Sequence, residues 1–208
     1  MQKNISPKNI IFAGLATSVE YFDFALFAYV TVFISAAFFP ESNSTVATIK
    51  TFGMFAAGYL MRPVGGVFFG NLGDKLGRKM VLIITVSLMA ISTAIIAFTP
   101  SYQSIGITSV LLIIFARMIQ GFSIGGEYNG VLAILSEQAP DDKRGLVTTF
   151  GTFFSGFGVF LGTVVVFVFS EFLTDTEMHS YGWRACFVIC MVMALIVLVM
   201  QFFQDESP

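Results

Sequence analysis

Six apolar stretches, each long enough to cross a bilayer, follow one another along this chain with short polar connections between them. They run approximately Ile10 to Phe33, Val46 to Phe69, Met80 to Phe98, Ile105 to Ala133, Leu146 to Phe169 and Ala185 to Phe203. A helix needs roughly 20 apolar residues to traverse a hydrocarbon core of about 30 Å, and inside lipid every backbone polar group must be satisfied within the segment. The pattern therefore predicts an all-α, multi-pass membrane protein with six transmembrane helices. The first stretch follows Lys3 and Lys8 as a secretory signal would, but it is too long for one and carries Glu20 and Asp23. It reads as a retained span.

Composition narrows the function. With 56% hydrophobic residues and 25 Phe, a water-facing shell would carry apolar patches large enough to aggregate. Only 11 Lys plus Arg are spread along the chain, so no basic stripe exists for nucleic acid. His179 is the only histidine and lies in a polar loop, which excludes zinc sites built on several His and argues against a Ser/His/Asp triad. Cys186 and Cys190 lie one helical turn apart inside an apolar run and read as buried, inert thiols. No enzyme, cofactor or metal constellation survives this count.

Lys and Arg placement sets the expected orientation. With a cytoplasmic amino terminus, the inside segments hold Lys3, Lys8, Lys75, Arg78, Lys79, Lys143 and Arg144, and the outside segments only Lys50 and Arg184. Both termini are then cytoplasmic. Trp183, beside Arg184, is expected to anchor the outer start of the sixth span. Small residues four apart recur, as in Gly66 with Gly70, Gly121 with Gly125, Gly126 with Gly130, Gly151 with Ser155 and Gly158 with Gly162, and they predict close helix packing.

Charges within the spans demand partners or a wet cavity. Glu20 and Asp23, three apart, share one helix face. Two carboxylates so placed at low dielectric should not both ionise readily, which suits one of them to carrying a proton.

The stretch Gly70-Asn71-Leu72-Gly73-Asp74-Lys75-Leu76-Gly77-Arg78-Lys79, preceded by Arg62-Pro63-Val64-Gly65-Gly66, ends one apolar run in a tight charged turn and restarts another. It resembles the signature between the second and third helices of major facilitator superfamily transporters. The upstream Arg-Pro-x-Gly-Gly is similar to the metabolite:proton symporter family, which includes carriers of proline and betaine, citrate, 2-oxoglutarate and shikimate. Arg117-Met118-Ile119-Gln120-Gly121-Phe122-Ser123-Ile124-Gly125-Gly126-Glu127 resembles that superfamily's fourth-helix motif. Glu20-Tyr21-Phe22-Asp23-Phe24 resembles the family's Glu-x-Tyr-Asp-Phe, with the Tyr one place earlier.

The resemblance implies half of a major facilitator fold, a 3+3 inverted repeat whose first helices in each triplet line a central cavity. It implies secondary active transport of a small metabolite, proline or betaine or an organic acid, with protons as coupling ion and no other cofactor, in a bacterial inner membrane. Arg117 is expected to face the cavity and couple to Asp23, with Glu20 and Gln120 in the same substrate and proton site. Glu127 is either a second proton site or a packed hydrogen-bond acceptor. Gly73, Asp74, Gly77, Arg78 and Lys79, with Glu137 and Arg144 of the matching inner loop, are expected to form a cytoplasmic gate; the simpler reading makes Asp74 a helix-start cap and the cations an anchor. Arg62 is a further intramembrane charge.

The resemblance covers residues 1–208 as one amino-terminal unit of a family with twelve helices, so a carboxy-terminal half is expected to be absent. Lipid, that missing half or a second copy of the chain are the expected partners, and nucleic acid is not. The alternative is a truncated membrane interaction protein that no longer transports.

Overall fold

A computed structural model describes residues 7–40, 42–138 and 144–203, apart from the side chains of 7–10, 13, 127–138, 144 and 147. These residues form α1 (Pro7–Tyr29), α2 (Thr31–Phe38), α3 (Ser44–Leu76), α4 (Arg78–Phe98), a single turn α5 (Tyr102–Ile105), α6 (Ile107–Gln138), α7 (Arg144–Phe172), a short α8 (Asp175–Glu177) and α9 (Trp183–Phe202). A π-helical turn, Met178–Gly182, joins α8 to α9. Five of the described helices are long and apolar enough to cross a membrane, and the bent pair α1–α2 makes a sixth span.

The first span departs from expectation. It continues to Phe38, broken at Val30 and bent by 63° between Gly14–Tyr29 and Thr31–Phe38. The Thr31 hydroxyl donates to the Phe27 carbonyl at 2.6 Å and Ser35 to the Val32 carbonyl at 2.7 Å, and such back-bonding tilts carbonyls off the helix axis. The other spans outlast their apolar stretches. α3 carries its helix through Asn71 and Asp74, starting on a cap in which Asn43 accepts the Val46 N–H at 2.8 Å.

Packing obeys the inverted repeat. Exchanging the two triplets maps the α3–α6 contact onto α7–α1 and α4–α6 onto α9–α1, while α4–α9 maps onto itself, and these are the most extensive interhelical contacts. Glycine makes the first two possible. A Cβ at Gly58 would lie 2.8 Å from the Arg117 carbonyl, and one at Gly121 would overlap the Gly58 backbone. On the equivalent seam, Gly158 packs on the Ser18 backbone and Gly162 on Ala25 and Phe22.

The antiparallel α4–α9 pair is tied at both ends by its own second residues. Lys79 Nζ donates to the Phe202 carbonyl at 3.4 Å, and Arg184 Nη1 donates to the carbonyls of Thr99 and Ala97 at 2.5 and 3.1 Å. Each cation thus sits on the exposed carbonyls at the other helix's C-terminal end, where it complements the helix dipole. Trp183 is no interfacial anchor. It is fully buried, edge-on against Phe38 and Phe187, because the bent α2 carries Phe38 over the end of α9. His179 stays exposed but packs its ring against Phe33, with centroids 4.8 Å apart.

Candidate functional site

Asp23 on α1 and Arg117 on α6 meet in the interior of the bundle. Arg117 Nη1 donates to Asp23 Oδ2 at 2.7 Å, and each residue is only 1% exposed. The second carboxylate oxygen, Oδ1, accepts from Gln120 Nε2 at 3.1 Å, from the Thr93 hydroxyl at 3.4 Å and from Cys190 Sγ at 3.9 Å. Gln120 also donates to Thr93 Oγ1 at 3.0 Å. Four spans therefore converge on one carboxylate.

The guanidinium of Arg117 lies over the Phe27 ring, 3.7 Å from its centroid, with Phe55 and Phe187 farther out at 5.9 and 5.8 Å. Its Nε and Nη2 have no acceptor among the described residues. The fork is only half engaged, so the cation is held by one carboxylate and by the faces of aromatic rings. All of these donors converge on the Asp23 carboxylate, which is the acidic partner of Arg117 in the buried cluster.

This geometry corrects two expectations. Arg117 and Asp23 do not face an open cavity; they point toward α4 and α9, whose Thr93 and Cys190 close the cluster. Glu20 and Asp23 do not share one site. A step of three residues leaves side chains about 60° apart around a helix, and here that offset separates them. Glu20, fully buried, lines a cavity of about 360 Å³ together with Tyr21, Arg62, Pro63, Gly66, Val67, Ile124 and Gly125.

Arg62 stands on α3 directly before Pro63, its guanidinium over the rings of Tyr59 and Phe24 at 4.2 and 4.4 Å. Sequence reasoning named Arg62 but missed the aromatic shelf beneath it. It also missed Thr93, one of several hydroxyl residues in the third apolar run, and the contact that Cys190, a buried free thiol as expected, makes with the carboxylate.

At the end of the bundle where α3 meets α4, Gly77 turns the chain at φ +85°, a conformation that suits glycine alone. Asp74 lies inside α3 and caps no helix start, because α3 runs on to Leu76. It pairs loosely with Arg78, Oδ1 to Nη2 at 3.9 Å, and is largely exposed. A Cβ at Gly73 would make ordinary contact with Arg78 Cδ at 3.6 Å, so packing there does not require glycine. Lys79 serves the α4–α9 tie. The side chains of Glu127, Glu137 and Arg144, also expected at the site or gate, lie outside the described residues.

Six spans arranged as two inverted triplets, with a buried Asp–Arg pair between the first helices of each, define one half of a major facilitator transporter. The chain belongs to the sugar (and other) transporter family, whose profile matches residues 9–208. It is 39% identical over 201 residues to the glycine betaine/proline/ectoine/pipecolic acid transporter OusA of Dickeya dadantii, and 38% identical over 201 residues to the proline/betaine transporter of Escherichia coli. Each match takes in 97% of this chain and 40% of the relative, so the chain spans less than half the length of these transporters.

Among solved structures, the inward-open xylose transporter XylE from E. coli superposes with a TM-score of 0.83 at 22% identity, over 96% of this chain and 48% of that one. The proton:xylose symporter XylE bound to 6-bromo-6-deoxy-D-glucose gives 0.86 at 22% identity, over 97% and 45%. Fold and relatives are those of transporters and point away from an enzyme.

Proposed function

We propose that residues 1–208 act as the amino-terminal six-span half of a proton-coupled symporter for a small metabolite, a zwitterion of the proline or betaine kind or an organic acid. A second six-span unit completes the path. The observation that carries this reading is the Asp23–Arg117 contact, a protonatable carboxylate holding a buried cation between helices of opposite triplets. A proton on Asp23 frees Arg117 and loosens α1 from α6; its loss draws them together, so proton occupancy biases the bundle between two arrangements.

In this reading Gln120 belongs to the proton region around Asp23, Glu20 to the cavity beside it, and Glu127 to the same transport path. Gly73, Asp74, Gly77, Arg78 and Lys79, with Glu137 and Arg144, form the gate at the cytoplasmic end. The protein sits in a bacterial inner membrane, with protons as coupling ion. The test is uptake into liposomes with an imposed pH gradient, using a panel of labelled metabolites. The chain alone inserts without accumulating substrate, and co-reconstitution with a six-span carboxy-terminal partner restores accumulation that a protonophore abolishes. Proton-driven accumulation by the chain alone, lost in Asp23→Asn, would replace the half-carrier with a working homodimer.

A further inference from the structure

Arg62 is the intramembrane cation that the buried cluster leaves out. Among the described residues its guanidinium makes no ion pair, and its Nε is buried without an acceptor. The side chain is nonetheless held in place. It lies on the rings of Phe24 and Tyr59, which pack edge-on against each other at 5.3 Å, and both pack in the same way against Phe55. Pro63, next along α3, has no N–H to offer the Tyr59 carbonyl, which relaxes the helix at this level. Gly66 and Gly125 add no side chains to the adjoining wall, and the space left is the cavity of about 360 Å³. A positioned guanidinium on a cavity wall at membrane depth, stacked but not paired, is built to receive an anion, and its planar fork matches a carboxylate. Glu20 on α1 gives another wall of the same cavity an acidic group, which disfavours a ligand that is negative throughout.

We propose that this cavity is the binding subsite for a small zwitterion, with Arg62 holding the ligand's carboxylate and its cationic end turned toward Glu20. The proposal deepens the transport reading and rests on it. It selects zwitterions over organic di- and tricarboxylates.

Equilibrium binding to the purified 208-residue chain in lipid nanodiscs tests it, measured by calorimetry with three probes. Glycine betaine carries both charges, 3,3-dimethylbutyrate keeps its shape and carboxylate but lacks the cation, and choline keeps the cation but lacks the carboxylate. Betaine binds best. Each single-charge probe binds about tenfold or more weakly, the weight of one charge-assisted hydrogen bond. Arg62→Gln weakens betaine by a similar factor and leaves choline unchanged, Arg62→Lys falls between, and Glu20→Gln narrows the gap between betaine and 3,3-dimethylbutyrate. Circular dichroism and size exclusion establish that each variant is folded.

Betaine binding that is equal in wild type and Arg62→Gln, or absent from the wild-type chain, overturns the subsite. If uptake with a six-span partner stays proton-coupled while binding ignores Arg62, the subsite alone fails. If binding depends on Arg62 but no uptake occurs in any combination, the transport reading alone fails.

Discussion

Asp23 collects donors from three neighbouring spans, so at the scale of single residues the bundle's electrostatics rest on one carboxylate. Removing one member of a buried pair leaves the other charge uncompensated, at a cost of about 3–5 kcal/mol, whereas removing both costs much less. Asp23→Asn and Arg117→Gln are therefore each expected to lower stability in detergent by amounts in that range. The double variant should lose clearly less than their sum. A double-mutant cycle on urea or thermal unfolding measures the coupling, and additive losses would contradict the 2.7 Å contact. The pairing was legible in the sequence because a charge inside a span demands an opposite partner, and the motif around Arg117 pointed to the first helix. Thr93 and Cys190 were not legible. A hydroxyl or thiol in an apolar run fits packing as well as it fits a polar cluster, and only the α4–α9 contact puts both beside Asp23. Glu20 misled for the opposite reason: helical spacing gave the shared face, but neighbouring helices split it.

The elements themselves were legible wherever hydrophobicity alone decides them, and all six spans lie close to their apolar stretches. Helix ends were not, since α3 and α6 continue through polar residues once past the apolar core. The Val30 break left no Pro or Gly to read, and its hydroxyl-to-carbonyl bonds on the α2 side become visible only in three dimensions. Recurrent glycines gave the packing mode without the partners. The α3–α6 seam pairs Gly58 with Gly121 and sets Gly65 and Gly125 on opposing backbone, while Gly53 and Gly70 face open space. Substitution should separate these classes. Gly121→Ala and Gly65→Ala force α3 and α6 apart and are expected to lower the thermal midpoint strongly or prevent folding. Gly53→Ala and Gly70→Ala gain helix propensity worth up to about 1 kcal/mol and should be neutral or stabilising. Thermal unfolding followed by circular dichroism distinguishes them, and equal effects at Gly121 and Gly70 would contradict the seam.

For the molecule as a whole, the exchange of triplets that maps α3–α6 onto α7–α1 also exchanges the two ends of the bundle. The mutual ties of Lys79 and Arg184 sit at those opposite ends. Such symmetry leaves the direction of insertion undetermined by packing, so orientation falls to the charges at the two ends of the bundle. Arg184 is engaged with two carbonyls at its end, and Lys50 donates to Ser42 at 2.8 Å while stacking on Phe39. At the other end Lys75 is exposed beside Arg78 and Lys79, and the sequence segments that precede α1 and join α6 to α7, with the first residues of those helices, hold Lys3, Lys8, Lys143 and Arg144. The excess falls on the end where α1 begins, α9 finishes and Gly77 turns the chain, and that end should remain in the cytoplasm. Reporter fusions after Pro208 and within the Thr174 to His179 connection are expected to report opposite sides of the membrane, the first cytoplasmic. Neutralising Lys75, Lys79, Lys143 and Arg144 together should erode that preference and yield a mixed population, because no asymmetry in the fold itself would restore it. Two fusions on the same side would contradict six spans. A uniform orientation surviving the four neutralisations would show that something other than these charges sets the direction of insertion.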